Sequence, residues 1–402
     1  MDFLTAEGGM MSKPAMRLLW TFCLAAYALA SVAYAAEGPA TQAALTDAQY
    51  IQQLSTRLDA LRAELQGKPA HPLVFSVNLF FAHGGVVTRF PVDLMLKCVD
   101  AFHEAGARRV DINPAIDPWR TGDAETIKKY DAVVAHIREL GMQLAINPEV
   151  NHKHDPAETF ESWSAAALKA YAEMAARYKP DFFAVIHEPT TMTARLLPAI
   201  VQSRTENYVQ AVSTAIGPQK WADFVQSAAR AIKAASPSTR CAAGVLYYER
   251  PYFRAFVALR DLDAISLDIY NLNGLGVCDW MIETAHGAGK RVYIEENWRE
   301  TYTDPMFARF PGITPRPGGG AVYEAIDSRW METLAQYAGA RGLEAITVCG
   351  VTSMQSLFYY AQDAHGGNLD PAYVSRVVEA INKGQRTSTF ETLKRLTAQY
   401  AG

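Results

Sequence analysis

Residues 108–147 read RRVDINPAIDPWRTGDAETIKKYDAVVAHIRELGMQLAIN, and one structural unit is visible in them. Two strand-like runs, residues 108–113 and 142–147, flank an amphipathic segment at 126–140 with the spacing of a helix. Gly141 follows that segment, in the position where glycine commonly ends a helix. The stretch therefore predicts a strand–helix–strand unit of a parallel sheet.

The same alternation continues along the chain from residue 72. Strand-like apolar runs recur at residues 73–79, 108–113, 142–147, 182–187, 241–247, 263–270, 291–296 and 344–349. Helix-like segments separate them, at residues 93–105, 126–140, 162–178, 206–235, 279–288 and 323–341, and residues 350–402 supply the last helix or helices. No GxGxxG motif follows the first run. The pattern predicts an α/β protein whose residues 72–402 form a (β/α)8 TIM barrel rather than a doubly wound sheet.

Residues 1–35 have the anatomy of a secretory signal peptide. Lys13 and Arg17 precede an apolar run at residues 18–30, and Ala33-Tyr34-Ala35 fits a cleavage site with small residues. The run is short and rich in alanine for a membrane span, although an uncleaved anchor helix is the alternative. We expect a secreted or periplasmic protein with no stable membrane insertion after processing.

Residues 36–71 predict an N-terminal helical segment. Apolar residues recur there at spacings of three and four, so one helical face is apolar: Ile51, Leu54, Leu58, Leu61 and Leu65. That face either packs on the barrel or lets residues 47–65 mediate self-association as a short coiled coil.

Charge and cysteine content narrow the function. The formal net charge is −4 and no basic patch stands out, which argues against a nucleic-acid partner. Past the signal segment lie Cys98, Cys241, Cys278 and Cys349, without a CxxC motif or a Cys/His cluster. We interpret them as buried free thiols and expect neither a metal nor an organic cofactor.

A TIM barrel carries its catalytic groups at the carboxyl ends of its strands. Glu188 ends the fourth predicted strand, and Glu295 and Glu296 end the seventh. Two carboxylates across a barrel mouth are what glycoside hydrolysis requires, one as general acid and the other as nucleophile or base.

Three short motifs carry a resemblance to a known superfamily. VIHEPT at 185–190, DAISLDIYN at 263–271 and VYIEEN at 292–297 resemble the strand-four, strand-six and strand-seven motifs of the clan A glycoside hydrolases, which are retaining (β/α)8 enzymes. The resemblance implies that Glu188 is the acid/base, that a strand-seven glutamate is the nucleophile, and that Tyr270 donates a hydrogen bond to the nucleophile. No single family of the clan can be assigned.

The choice between Glu295 and Glu296 rests on alternation. Side chains of a strand point to opposite faces in turn, so we expect only one of the two to face the mouth. Alignment with the clan motif favours Glu296 as the nucleophile and leaves Glu295 at the rim, paired with an arginine or near the substrate.

Other polar and aromatic residues near the strand ends are candidates for binding sugar. His187 replaces the usual asparagine before the acid/base, and either contacts the sugar or orients Glu188. The remaining candidates have ordinary loop-capping or packing roles as alternatives: Asn113, Asn147, Glu149, Tyr248, Trp119 and Trp298.

Together these features predict an exported retaining glycoside hydrolase that cleaves β-glycosidic bonds of an oligo- or polysaccharide. One alternative is a carbohydrate-binding barrel without catalysis, because His187 departs from the clan motif and the strand-eight segment ITVCGVTS lacks a tryptophan. The other is a barrel enzyme of another class, such as a metal-dependent hydrolase that uses His152, His154 and His187.

Overall fold

The computed structural model describes residues 47–149, 158–197, 208–270, 272–297, 323–348, 356–360 and 371–401. The chain divides into two units, residues 1–53 and 54–402. Helix α1 spans Asp47–Leu65, and residues 47–53 of it are the part of the first unit that the structure describes. The signal segment 1–35, and also His152, His154, Trp298 and Cys349, lie outside the described residues.

Eight parallel strands close into a barrel in chain order, and the last pairs with the first. They are β1 Val74–Asn78, β2 Arg109–Ile112, β3 Gln143–Ile146, β4 Phe182–Ile186, β5 Arg240–Leu246, β6 Ala264–Ile269, β7 Arg291–Asn297 and β8 Ala345–Val348. Each lies within one residue of a run predicted from the sequence. The (β/α)8 TIM barrel is therefore confirmed.

Helices surround the barrel. Those that follow α1 are α2 Val92–Glu104, α3 Asp117–Thr121, α4 Ala124–Glu139, α5 Phe160–Tyr178, α6 Pro189–Leu196, α7 Tyr208–Ala215, α8 Pro218–Ala235, α9 Arg250–Val257, α10 Leu275–Gly287, α11 Glu324–Ala340, α12 Pro371–Asn382 and α13 Ser388–Gln399. The single helix expected over 206–235 is two, because Gly217-Pro218 interrupts the backbone hydrogen-bond ladder. Helices α3, α6 and α9 are too short to show a helical period in the sequence, which explains why they were not predicted.

The predicted helix-ending glycines adopt the expected backbone. Gly141 has φ 68° and Gly342 has φ 66°, in the left-handed region that a side chain disfavours. Each glycine lets the chain turn from a helix into the following strand within a few residues.

In the second unit, the end of helix α1 packs on the barrel of its own chain. Leu54, Leu58 and Leu65 are buried. Arg62 forms an ion pair with Glu332 at 3.0 Å. Of the two roles expected for the apolar face, packing on the barrel accounts for these three leucines.

The interior of the barrel is unusually polar. Branched aliphatic side chains usually fill such a barrel. Here the base holds Tyr293 among Ala242, Ala264 and Ala345. Above it, the guanidinium of the buried Arg109 lies 5.0 Å from the Tyr293 ring centroid.

Asp111 balances the buried charge of Arg109. Its Oδ1 lies 3.4 Å from Arg109 Nε and accepts a hydrogen bond from Ser76 Oγ at 2.6 Å. Thr347 Oγ1 donates to Oδ2 at 3.0 Å. Polar side chains from β1, β2 and β8 thus occupy the space below the mouth, and polar groups continue upward into the site.

Two further expectations concern thiols and membranes. Cys98, Cys241 and Cys278 are buried and free, as predicted. Among the described helices, none has both the length and the apolar character needed to cross a membrane.

Candidate active site

Glu188 occupies a strained position at the carboxyl end of β4. The five residues of β4 are buried, and Glu188 is the residue before Pro189, where helix α6 begins. Its backbone has φ 48° and ψ 77°, and the other non-glycine residue with positive φ in the described chain is Lys179. Such a conformation costs on the order of 1–3 kcal/mol, so the surrounding structure must hold it in place.

Glu249, at the end of β5, fixes the turn that carries Glu188. Thr190 donates from its backbone N at 2.7 Å and from Oγ1 at 2.5 Å to Glu249 Oε1. The backbone N of Leu246 donates to Oε2 at 2.8 Å. Burial raises the pKa of Glu249 to about 7. This buried carboxyl ties the start of α6 to β5 and so limits the movement of Glu188.

A β-bulge near the end of β7 turns both of its glutamates inward. Leu267 pairs with Ile294, but the next residue, Asp268, pairs with Glu296, so Glu295 is the extra residue. Glu295 accepts a hydrogen bond from Ser266 Oγ and is buried. The expected alternation is wrong at this point, because the bulge lets both side chains point into the barrel. Within the described residues, Glu295 does not pair with an arginine at the rim.

Tyr270 joins the two proposed catalytic carboxyls. Its hydroxyl oxygen lies 2.8 Å from Glu188 Oε1 and 2.7 Å from Glu296 Oε2. The distance between Glu188 Oε1 and Glu296 Oε2 therefore cannot exceed the sum of these two contact distances. The contact brings the predicted acid/base and the predicted nucleophile to one side chain.

The shared hydroxyl has one proton, which it can donate to one carboxyl. Burial and the negative charge of Glu296 raise the pKa of Glu188. Burial also disfavours ionised Glu296, but the charge of His187 and hydrogen bonds from His187 and Tyr270 outweigh it and lower the pKa of Glu296. The single hydroxyl proton and the two pKa shifts are consistent with one arrangement. A protonated Glu188 donates to Tyr270, which donates to an ionised Glu296.

His187 lies among three carboxyl groups. Its Nε2 is 3.3 Å from Glu296 Oε1 and 3.7 Å from Asp268 Oδ2, and its Nδ1 is 3.5 Å from Glu295 Oε2. Although burial disfavours a charged ring, Asp268, Glu296 and Glu295 raise the pKa of His187 well above its ordinary value. The three carboxyls therefore favour the positively charged form of His187 beside Glu296.

A second polar group follows β1, β2 and β3. Asn78 Nδ2 donates to Asn113 Oδ1 at 2.5 Å, and Asn78 Oδ1 lies 2.7 Å from His83 Nε2. The other ring nitrogen of His83 is 3.0 Å from Glu149 Oε1. Two predicted sugar-binding residues, Asn113 and Glu149, are thus linked through Asn78 and through His83, a histidine that the sequence did not single out. The signal available was only a histidine in the loop after the first strand.

The other predicted binding residues are placed differently. Asn147 is buried at the end of β3, and Tyr248 is half-buried with its ring centroid 5.3 Å from that of Tyr247. Trp119 packs against Tyr130 and Tyr178 of the outer helices, with ring centroids at 5.5 and 6.4 Å. Its indole is 7% exposed, so we assign it to helix packing.

One group in the described chain has the spacing of a metal site. His187, Glu188 and Asp268 each place a potential ligand atom within 4.8 Å of the other two. However, His187 Nε2 faces Glu296, and Glu188 Oε1 bonds Tyr270. These atoms already have polar partners within the described site, so we do not assign the group as metal ligands.

No protein-family model matches the chain, and no curated protein matches it by sequence. Solved structures do match. An exo-β-1,4-mannosidase from Opitutaceae bacterium strain TAV5 is 13% identical, with a TM-score of 0.51 over 83% of this chain and 60% of that one. A family 1 β-glucosidase from Thermotoga maritima is 9% identical, with a TM-score of 0.50 over 79% and 99%.

A β-glucuronidase 2 from Bacteroides uniformis is 12% identical, with a TM-score of 0.46 over 70% of this chain and 30% of that one. The present chain thus spans under a third of the length of that enzyme. What the chain shares with the matched glycoside hydrolases is the TIM-barrel fold, which fits the fold of clan A.

Proposed function

We propose that the chain is a retaining glycoside hydrolase in which Glu188 is the acid/base and Glu296 the nucleophile. The observation that carries the proposal is the hydroxyl of Tyr270, in hydrogen-bond contact with both carboxyls. The two contacts keep the nearest oxygens of the carboxyls within the ~5–5.5 Å typical of retaining enzymes, short of the ~6.5–9.5 Å that leaves room for the water of an inverting one.

In the first step, a carboxylate oxygen of Glu296 attacks the anomeric carbon while the glycosidic bond breaks. Glu188 gives its proton to the departing oxygen, so the leaving group departs as a neutral alcohol. The raised pKa of Glu188 and the lowered pKa of Glu296 support these opposite roles at one pH. The product is a glycosyl ester of Glu296.

In the second step, Glu188 is a carboxylate and acts as a base. It removes a proton from water as the water oxygen attacks the anomeric carbon from the side the leaving group vacated. The ester bond to Glu296 breaks, and both side chains regain their starting protonation states. Two inversions give net retention.

We propose a β-linked oligo- or polysaccharide as the substrate class. The clan resemblance of the three motifs supports this, and the two solved structures with TM-scores of 0.50 and 0.51 are a β-glucosidase and a β-mannosidase. Asn113, Asn147, His83 and Glu149 supply hydrogen-bonding groups at the strand ends for sugar hydroxyls.

The proposal is tested on a panel of β-linked aryl glycosides. Glu188→Gln and Glu296→Gln should each lower turnover by about 10²–10⁴-fold or more, and product released early should have the β configuration by proton NMR. Glu344→Gln, at the opposite end of the barrel, is the matched control. Wild-type activity in both variants would contradict the assignment.

Azide separates the two roles. It should restore turnover of Glu188→Ala for substrates with good leaving groups and give a β-glycosyl azide, because Glu296 still forms the ester. With Glu296→Ala it should give the α-azide instead. Saturable glycan binding by the wild-type protein without turnover would favour the non-catalytic binding barrel.

We also infer that the chain is exported. The support is the pattern of residues 1–35 in the sequence. Expression of the full chain in a bacterial host should give a mature protein that begins after Ala35 and lies in the periplasm or medium. A cytoplasmic product with an intact amino terminus would contradict export.

A further inference from the structure

The structure gives Glu295 a role that neither the motif resemblance nor the proposed mechanism supplies. We propose that Glu295 is a positioning residue that keeps His187 as a doubly protonated imidazolium, with its Nε2–H directed at Glu296. The proposal deepens the proposed function and rests on it, because the imidazolium then stabilises the carboxylate form of the nucleophile and fixes one of its oxygens.

The first support is the set of atoms around the ring. Carboxyl oxygens of Glu295, Glu296 and Asp268 are near polar neighbours of the two nitrogens, at 3.5, 3.3 and 3.7 Å. A neutral imidazole would direct one unprotonated nitrogen at a carboxylate, so that two lone pairs would face each other. A ring with two N–H groups avoids this arrangement.

The second support is that Glu295 is fixed from below. Its Oε2 accepts from Ser266 Oγ, and the residue is 5% exposed. Strand β5 contributes Gly244 at this point. A Cβ at Gly244 would lie 2.9 Å from Ser266 Oγ, 3.0 Å from Glu295 Oε2 and 3.2 Å from His187 Nδ1. The absent side chain leaves room for the three groups to meet.

The third support is the division of contacts on Glu296. His187 faces Oε1 and Tyr270 contacts Oε2. Both oxygens of the proposed nucleophile thus have a donor when His187 carries its Nε2 proton. Glu295 lies deep beside Ser266, so its influence on the reaction passes through His187.

The titratable groups around the His187 ring come from two strands and from the neighbouring residue in the chain. Strand β6 contributes Asp268, strand β7 contributes Glu295 and Glu296, and Glu188 is the neighbour of His187 along the chain. Burial raises the pKa of Asp268 well above its ordinary range; the charge of His187 opposes this shift, and the nearby carboxyls add to it. Of the three carboxyls beside the ring, Asp268 lies farthest from a ring nitrogen, at 3.7 Å, against 3.5 Å for Glu295 and 3.3 Å for Glu296.

The experiment is an NMR titration of the full mature protein labelled with ¹⁵N at its histidine rings, without substrate. His187→Gln identifies the signal of His187. In the wild-type protein both ring nitrogens should carry protons at neutral pH. Glu295→Gln removes one charge with little change in shape, and should weaken the proton affinity of His187 at least tenfold. Glu344→Gln, which alters a carboxylate at the amino ends of the strands, should leave it unchanged.

Ser266→Ala is the second variant, because it releases Glu295 without removing its charge. It should change the proton affinity of His187 by a smaller factor than Glu295→Gln does, and it decides the matter if Glu295→Gln does not fold. A singly protonated wild-type ring at neutral pH, or an unchanged titration in the folded variants, would overturn the proposal. Because no substrate is used, these results stand apart from whether the protein cleaves glycosides.

Discussion

Glu188 and Glu296 contact the same hydroxyl group, that of Tyr270, at 2.8 and 2.7 Å. They reach it from β4 and β7, which lie three strands apart around the barrel. Because one hydroxyl proton cannot serve two carboxylates, the pair is most stable with one proton shared between its members. Tyr270 therefore does more than contact the proposed nucleophile, because it makes the ionisation of each carboxyl depend on the other.

Tyr270→Phe removes this link and keeps the ring. A hydrogen bond to a charged group contributes about 1.5–3 kcal/mol, so kcat/KM should fall by about 10–10²-fold. The loss should appear mainly in kcat, measured with an aryl glycoside, because the hydroxyl contacts the carboxyls. Tyr337→Phe is the control, since its hydroxyl donates to Asp279 in the outer helices, and an equal loss in both variants would argue against a special role for Tyr270.

The pH profile should separate the two carboxyls. Activity should be lost at low pH as Glu296, whose pKa is lowered, becomes protonated, and at high pH as Glu188, whose pKa is raised, loses its proton. We expect a bell-shaped dependence of kcat/KM. With a dinitrophenyl glycoside, Glu188→Gln should keep the acid limb and lose the alkaline limb. Retention of both limbs would mean that another group is the acid.

Gly244→Ala places a methyl group among Ser266, Glu295 and His187, at distances of 2.9–3.2 Å. We expect a loss of about 1–3 kcal/mol in unfolding free energy from overpacking, together with a displaced pH profile as His187 moves. Gly276→Ala, in helix α10, is the matched control, since a Cβ there would meet no neighbouring atom within 4 Å. The control should be neutral or more stable by up to ~1 kcal/mol in urea denaturation. Equal stability of the two variants would contradict the expected crowding.

Glu249 should make stability depend on pH. Burial raises its pKa from 4.5 to about 7 in the folded chain. The folded state therefore holds this proton more tightly than the unfolded state, and the resulting stabilisation is complete below pH ~4.5 and lost as pH rises through ~7. Between these limits, the unfolding free energy of the wild-type protein should fall by about 3 kcal/mol relative to Glu249→Gln. Urea denaturation measures both proteins across this pH range. A difference in unfolding free energy between them that stays constant with pH would refute the prediction.

The left-handed backbone at Glu188 predicts a reversed order of stability between its glycine and alanine variants. Because φ is 48°, Glu188→Gly should be more stable than Glu188→Ala by about 1 kcal/mol, the reverse of the usual order. Both variants lack the carboxyl and should be inactive. Lys179→Gly against Lys179→Ala, at φ 43°, should show the same order with activity retained. Thermal unfolding measures both pairs.

The barrel was predictable because its signal repeats. Each strand is an apolar run, and each helix has an amphipathic period that commonly ends at a glycine such as Gly141. The two proposed catalytic glutamates were also predictable from the sequence, since Glu188 and Glu296 terminate such runs. Short helices such as α6 were not predictable. Two helical turns are too few to give a periodic pattern, and the contact that holds the start of α6, from Thr190 to the buried Glu249, cannot be read from the sequence.

Alternation failed at Glu295 for a local reason. A bulge adds one residue to β7 without a sequence marker, so two consecutive acids face the interior. His83 was missed because its partners, Asn78 and Glu149, come from different strands and meet only in the closed barrel. Contacts between distant segments, rather than strand ends as such, define this part of the site.

The charged lumen has a consequence for engineering. The Arg109–Asp111 pair, set above a floor of alanines and Tyr293, adds little cohesion for the volume it fills, since removing two ions from water offsets most of their attraction. Cohesion in this fold must then come chiefly from the annulus where strands meet helices. A designer seeking heat tolerance could replace the pair jointly with aliphatic side chains, whereas neutralising Asp111 alone would leave Arg109 buried without a counter-charge and cost about 3–5 kcal/mol of stability.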